Sequence, residues 1–449
     1  MNPQERNNRK FTQSITFKAL TVVILTLLLL IPQAMIKSLI AERQQRSEEV
    51  IRKINEKWSN PQTICGPVLS VPYLYKSVEI ETIDEQKREK VRFDKRLMTV
   101  APSTLNIHVE VFPETKYYGI YKTTLYRSEL TISGSFNNLD NFENFDGTGT
   151  KYWNEAYISI GISDLKGLVS DAALTINGNV YSADAEGSTS WFSGNKLKIP
   201  LKDLKKSPDE KNVFSCKMTL NGSEEINFIP VGRTTSINVS GKWAAPGFIG
   251  NFSPQSTIEN GNFSAKWHVL HFNRNIPEAW SSSTARNFND YSFGVRLVET
   301  VDHYQQNMRS AKYALMFIAL TFVVFFFVEL LTKKKIHLIQ YLLVGIALVL
   351  FYSLLLSISE QTGFALAYLI ASFATIGLIT AYTYGIFKNV KQTGILTVIL
   401  GLLYTFLFVI LQLEDIALLI GSIGMFIILG IIMFVSRKIN WNKQEEFNQ

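Results

Sequence analysis

The chain has 449 residues, of which 47% are hydrophobic and only 18% charged, a balance that excludes intrinsic disorder. Soluble domains carry about a quarter charged residues, so a purely soluble chain is excluded too. Most of the formal net charge of +7 falls on short segments flanking apolar runs while the long middle stays near neutral, which removes the case for nucleic-acid binding.

From the N-terminus, Arg6, Arg9, Lys10 and Lys18 precede an apolar run at 19–36. No small-x-small cleavage site closes it, so it reads as a retained signal anchor behind a cytoplasmic segment 1–18. A stalk helix is expected over 37–60, because Ile51, Ile54 and Trp58 recur at helical spacing among charges and Ser59-Asn60-Pro61 stops the pattern.

From 61 to 312 the hydrophobic period changes to two, the mark of half-buried strands. Ile158, Ile160 and Ile162 alternate with Ser159, Gly161 and Ser163; Phe214, Cys216, Met218 and Leu220 form another such series, and Phe263, Ala265, Trp267, Val269 and His271 a third. Four runs close on a polar-Gly pair at Gly134, Gly178, Gly222 and Gly241, which predicts tight hairpin turns. The expected domain is a mainly antiparallel sandwich or large bent sheet.

Within this domain Cys65 and Cys216 sit in apolar surroundings and read as buried free thiols, with a disulfide between them, which an extracytoplasmic compartment permits, as the alternative. His268 and His271 are three apart, hence on opposite faces of a strand, so no shared metal is expected and His271 falls on the core side. Gly147-Thr148-Gly149 lacks a following apolar helix and reads as a turn. Arg233 is the one charge between Ile226 and Ser240, which predicts a buried guanidinium held by carboxylates or carbonyls. The sequence holds no nucleophile elbow, phosphate loop or metal-ligand motif, so neither catalysis nor a cofactor is expected.

Five further apolar runs follow, at 313–331, 339–358, 364–387, 395–411 and 416–435. With the first they predict a membrane protein of mixed class: six transmembrane α-helices, five of them in a C-terminal bundle at 313–435, a large extracytoplasmic β domain, and a cytoplasmic tail at 436–449. Basic residues mark alternate ends of these runs, at Lys18, Lys333 to Lys335, Lys388 with Lys391, and Arg437 with Lys438. Both termini are therefore expected in the cytoplasm and 37–312 outside, with Arg309 and Lys312, which breach the pattern at the outer end of the second span, read as snorkelling interfacial residues. Glu329 is the one acidic or basic residue inside a span, expected to pair with Lys333 or reach the interface. Gly363, Ala367, Ala371, Thr375, Gly377, Ala381 and Gly385 fall within one broad helical arc and predict a stripe for close helix packing.

Several stretches carry a resemblance. Cys65-Gly66-Pro67-Val68-Leu69-Ser70-Val71-Pro72, Phe228-Ile229-Pro230-Val231-Gly232-Arg233-Thr234-Thr235, Pro246-Gly247-Phe248-Ile249-Gly250-Asn251-Phe252 and Ser359-Glu360-Gln361-Thr362-Gly363-Phe364 resemble the bacterial inner-membrane cell-envelope integrity proteins of the CreD (Cet) type. The resemblance covers almost the whole chain. It implies an inner-membrane location and a link to envelope integrity and colicin tolerance, with no assigned reaction or ligand. The expected function is a non-catalytic envelope or stress-response factor whose partners are the lipid bilayer and an unidentified envelope or membrane protein. A transporter or channel, and a sensor or adaptor acting through a partner, are the alternatives.

Overall fold

The computed structural model describes residues 15–437 apart from 84–85, 144, 146–149, 189–190, 203, 206–209, 283–286, 298–302, 333–335 and 414–415. Arg6, Arg9 and Lys10, the loop Gly147-Thr148-Gly149, Lys333 to Lys335 and the tail from 438 lie outside the described residues, and so do the expectations that rest on them. The chain divides into a helical unit, Met1–Ser47 with Val301–Gln449, and a β unit, Glu48–Thr300.

The helical unit begins with α1 (Ile15–Leu28) and the first part of α2 (Leu30–Trp58), which run on as one helix of 41 residues from Lys18; the last turns of α2, from Glu48, belong to the β unit. After the β unit come α3 (His303–Lys312), α4 (Ala314–Thr332), α5 (Leu338–Thr362), α6 (Phe364–Phe387), α7 (Val390–Gln412) and α8 (Ala417–Ser436). The expected β domain ran to residue 312, but α3 already belongs to the helical unit and meets α4 at a bend of 47°. Among the described residues five helices are long and apolar enough to cross a membrane, or six if α3 and α4 make one span. Their mutual packing is aromatic: the rings of Phe317 and Phe351 lie edge-on to Tyr404 at 4.5 and 4.9 Å, while Phe373 and Phe426 point away from the core.

Pro61 cannot continue α2, and the chain turns to strand. The β unit holds β1 (Gln62–Ile83), β2 (Gln86–Val100), β3 (Thr104–Tyr118), β4 (Tyr121–Asn137), β5 (Tyr157–Ile162) and β6 (Ala173–Ile176). Next come β7 (Asn179–Ser182), β8 (Asp184–Glu186), β9 (Asn195–Pro200), β10 (Lys211–Ser223), β11 (Glu225–Ile229) and β12 (Thr234–Lys242). The last are β13 (Gly247–Gly250), β14 (Gln255–Glu259), β15 (Asn262–Leu270), β16 (Ala279–Ser281) and β17 (Phe293–Arg296).

These strands form two sheets. Nine strands follow the order β13-β17-β11-β1-β5-β9-β8, with β2 pairing β1 and β16; eight follow β14-β15-β12-β3-β4-β10-β6-β7. Pairing is antiparallel except for β1 with β11 and β3 with β12. Ile64, Ile158 and Phe228 of the first sheet and Ile107, Leu130 and Phe214 of the second share one hydrophobic core. The expected mainly antiparallel architecture is present.

Three sequence expectations are corrected. Of the four polar-Gly pairs only Asn177-Gly178 turns a hairpin, between β6 and β7, with φ of 51° and 88°. Gly134, Gly222 and Gly241 sit inside β4, β10 and β12, where an added Cβ would lie 2.0 Å from the Thr104 carbonyl, 2.3 Å from the Tyr126 hydroxyl and 2.6 Å from the Val111 carbonyl. There glycine serves close approach, not turning. Second, β5 is buried on both faces, since Phe192 covers the Gly161 side. Third, on the last turns of α2 the buried residue is Asn55, bonded to Glu224 and Thr123, while Trp58 is exposed.

Candidate functional site

Alternation builds a polar face on the eight-stranded sheet. In β3, Leu105, Ile107 and Val109 enter the core and Asn106 and His108 face outward; β12 does the same with Ser236 and Asn238, and β15 with Lys266 and His268. Register then sorts the outward residues into two rows. Ser236 stands opposite Asn106 on one side and His268 on the other, and Asn238 stands opposite His108 and Lys266. Thr131 and Ser133 of β4 extend the rows, and the whole lines a groove of about 610 Å³.

The rows are internally bonded. Ser236 Oγ and His268 Nδ1 share a hydrogen bond of 3.1 Å, and the Asn238 amide nitrogen donates to His108 Nδ1 at 3.3 Å. The other end of that amide, Asn238 Oδ1, is shielded from water and has no partner among the described residues. The Ser236 and His268 contact resembles half of a nucleophile and base pair, and among the described residues no carboxylate is bonded to the imidazole.

Arg233 is not buried. Its side chain is 54% exposed and pairs with Glu278 at 2.7 Å beside a cleft of about 60 Å³. The buried guanidinium is that of Arg274, 6% exposed, which donates to the carbonyls of Val231, Gly232 and Ile276 at 2.7, 2.6 and 2.6 Å. It clamps the segment that leaves β11 in one sheet and enters β12 in the other. Burial draws its pKa down to about 10, against the opposing pull of Glu278. Thr234 begins a strand directly after Arg233, so the charge falls at a strand entrance, whereas Arg274 follows a short helical turn, His271–Asn273, and stands out by no periodicity. That turn also takes His271 off β15: it is half-buried and stacks on exposed Phe272 instead of entering the core.

Glu329 is 5% exposed and closely held. Lys18 donates to its Oε1, the Ile336 N–H donates to the same oxygen at 3.0 Å, and the Tyr341 hydroxyl donates to Oε2 at 3.0 Å. The cation is thus one from the N-terminal helix, 311 residues earlier; Lys333 lies outside the described residues. The small-residue stripe divides. Ala367, Ala371 and Thr375 are buried, Gly363 caps α6 with φ of 81°, and Gly377, Ala381 and Gly385 are exposed, the two glycines with nothing near their Cβ positions.

Cys65 and Cys216 are free and buried; burial raises both thiol pKa values, that of Cys216 to about 11. Among the described residues no group of three or more His, Cys, Asp or Glu side chains is placed to hold a metal.

One apolar helix near the N-terminus, a set of apolar helices near the C-terminus and a large mainly β unit between them define a multi-helix membrane protein. The family described as inner membrane protein CreD matches residues 14–442, and the chain belongs to that family. It is 30% identical over 420 residues to the inner membrane protein CreD of Escherichia coli (strain K12), an alignment that covers 92% of this chain and 91% of that protein. The resemblance read from the sequence stretches is thereby established. Among solved structures, an M1 zinc metallopeptidase from Deinococcus radiodurans matches at 11% identity over 38% of each chain with a TM-score of 0.20, a likeness that carries no argument about fold or activity.

Proposed function

We propose that this inner-membrane protein is a non-catalytic factor for cell-envelope integrity, with both termini in the cytoplasm and residues 37–312 outside, acting through contacts of its β unit with envelope components. The alternation of basic residues at the ends of the apolar runs supports the orientation. The observation that carries the function is the two-row polar face: a recognition surface of amides, hydroxyls and imidazoles on a unit with apolar helices before and after it in sequence. A transport path would favour an available buried charge, whereas Glu329 is already occupied by Lys18, Tyr341 and a backbone N–H.

Deletion of the gene tests the reading. Loss of tolerance to detergents and membrane-directed toxins, restored by the full chain and accompanied by no solute flux in reconstituted vesicles, is the expected result. Unchanged tolerance, or flux through the purified protein, defeats it.

A further inference from the structure

We propose that the two-row polar face binds an acidic oligosaccharide, a chain of sugar rings bearing carboxylates, with hydroxyls seated on Asn238 and its neighbours and a carboxylate on Lys266. The proposal rests on the outward placement of the β unit argued above and adds the ligand's chemistry. Amides, hydroxyls and imidazoles each donate and accept, as sugar hydroxyls do. The rows offer no carboxylate and one fixed positive charge, Lys266, which has no ion-pair partner among the described residues.

Competing ligands fit less well. An extended peptide gains its affinity from the free backbone of a sheet edge; β3 and β12 each pair on both sides, and of the edge strand β14 only Gln255 lines the groove. A nucleic acid needs several cations along a phosphate track, and these two rows hold a single lysine. A lipid chain needs apolar side chains, which these rows turn inward.

Asn238 supplies the sharpest constraint. The side chain is half-buried, and its Oδ1 is shielded from water with no partner among the described residues, so a ligand reaches that acceptor only where a neighbouring side chain moves aside. Once it is uncovered, an ionised carboxylate or phosphate has no proton to donate to it, whereas a hydroxyl has. Lys266 stands directly opposite Asn238 in the register, about 5 Å away at Cβ, so a hydroxyl donor and an anion are called for within the span of one sugar ring. Strands are about 4.8 Å apart and rows about 6.8 Å along the strand, so the face from β4 to β15 accommodates two or three rings. A groove of about 610 Å³ falls in the range of small-molecule sites.

The test uses the full chain in nanodiscs and a fluorescein-labelled tetrasaccharide of galacturonic acid, with maltotetraose as the neutral competitor and tetra-aspartate as the charge-only competitor. Saturable binding of the acidic tetrasaccharide is expected. Lys266→Ala should weaken it about ten-fold and leave maltotetraose unchanged; Asn238→Ala should weaken both saccharides. Lys242→Ala, at the far end of β12 and outside the rows, should change neither, and unaltered thermal unfolding of the variants shows that fold is retained.

No binding of the acidic tetrasaccharide at millimolar concentration, binding indifferent to Lys266 and Asn238, or equal competition by tetra-aspartate overturns the proposal. Absent binding together with a stress-sensitive deletion strain sinks the glycan site and leaves the envelope role. Retained binding with normal stress tolerance does the reverse.

Discussion

The two units keep the same rule inside and opposite rules outside. Apolar side chains fill both cores, but the β unit turns Asn106, His108 and Lys266 outward whereas the helical unit turns Leu418, Phe373 and Phe426 outward, as water and lipid respectively require. Each also buries an ionisable group. Arg274 is met in the β unit by three carbonyls, and Glu329 in the helical unit by an ammonium, a phenol and a backbone N–H. The surrounding solvent chooses the surface, while the cost of an unmet buried charge governs both interiors alike.

If that holds, removing either charge should be the most damaging point change. Arg274→Ala leaves three carbonyls without their donor and should cost on the order of 3 to 5 kcal/mol. Six of the seven tryptophans lie between residues 58 and 280, so denaturant unfolding followed by tryptophan fluorescence reports the β unit. Glu329→Ala should cost about 3 kcal/mol, read in the helical unit as loss of helical circular dichroism on titration with a denaturing detergent. Lys18→Ala should cost less, and the double variant less than the sum, because both act on one pair. Additive losses would mean that Lys18 and Glu329 are neighbours without coupling.

Glycine sharpens the contrast because the same residue serves opposite ends. In β4 a Cβ on Gly134 would press on the Thr104 carbonyl and the Phe214 ring, whereas Gly377 in α6 faces open space. Gly134→Ala should therefore destabilise by about 2 to 3 kcal/mol, while Gly377→Ala should be neutral or stabilise by up to about 1 kcal/mol. Equal loss at both positions would show that the exposed side of α6 is packed against something.

The sequence made some of this legible and hid the rest for physical reasons. Hydropathy locates apolar helices because lipid demands uninterrupted runs, and period-two alternation locates β3, β10 and β15 because one face of each must be dry. Whether a glycine turns the chain or admits a neighbour depends on the next strand, and Gly134, Gly222 and Gly241 look like Gly178 until β3, β4 and β12 are in place. The polar rows are hidden in the same way. Asn238 and His108 are 130 positions apart and meet through parallel pairing of β3 with β12, which no local pattern announces. Arg233 drew notice by its apolar context, yet burial went to Arg274, set by the crossing between sheets.

The smallest expected effect concerns the thiols, which exist only in the β unit because Cys65 and Cys216 are the chain's two cysteines. Burial raises the Cys216 pKa from 9.0 to about 11, so the native state keeps its proton where the unfolded chain has lost it. A folded pKa above the unfolded one gives stability that is complete below pH 9 and fades as pH climbs through 11, with a loss from Cys216 of about 1 kcal/mol by pH 10. Cys65 is shifted in the same direction by the same cause and adds to the slope. Tryptophan-monitored unfolding midpoints should therefore fall between pH 9 and 11, and Cys216→Ala should flatten part of that fall even though the substitution itself lowers stability at pH 7. At pH 8 neither thiol of the folded protein should react with a thiol reagent until denaturant is added. Prompt labelling of Cys216 in the native protein would mean that β10 opens readily, and the pH slope would then report local opening of that strand instead of the core of the β unit.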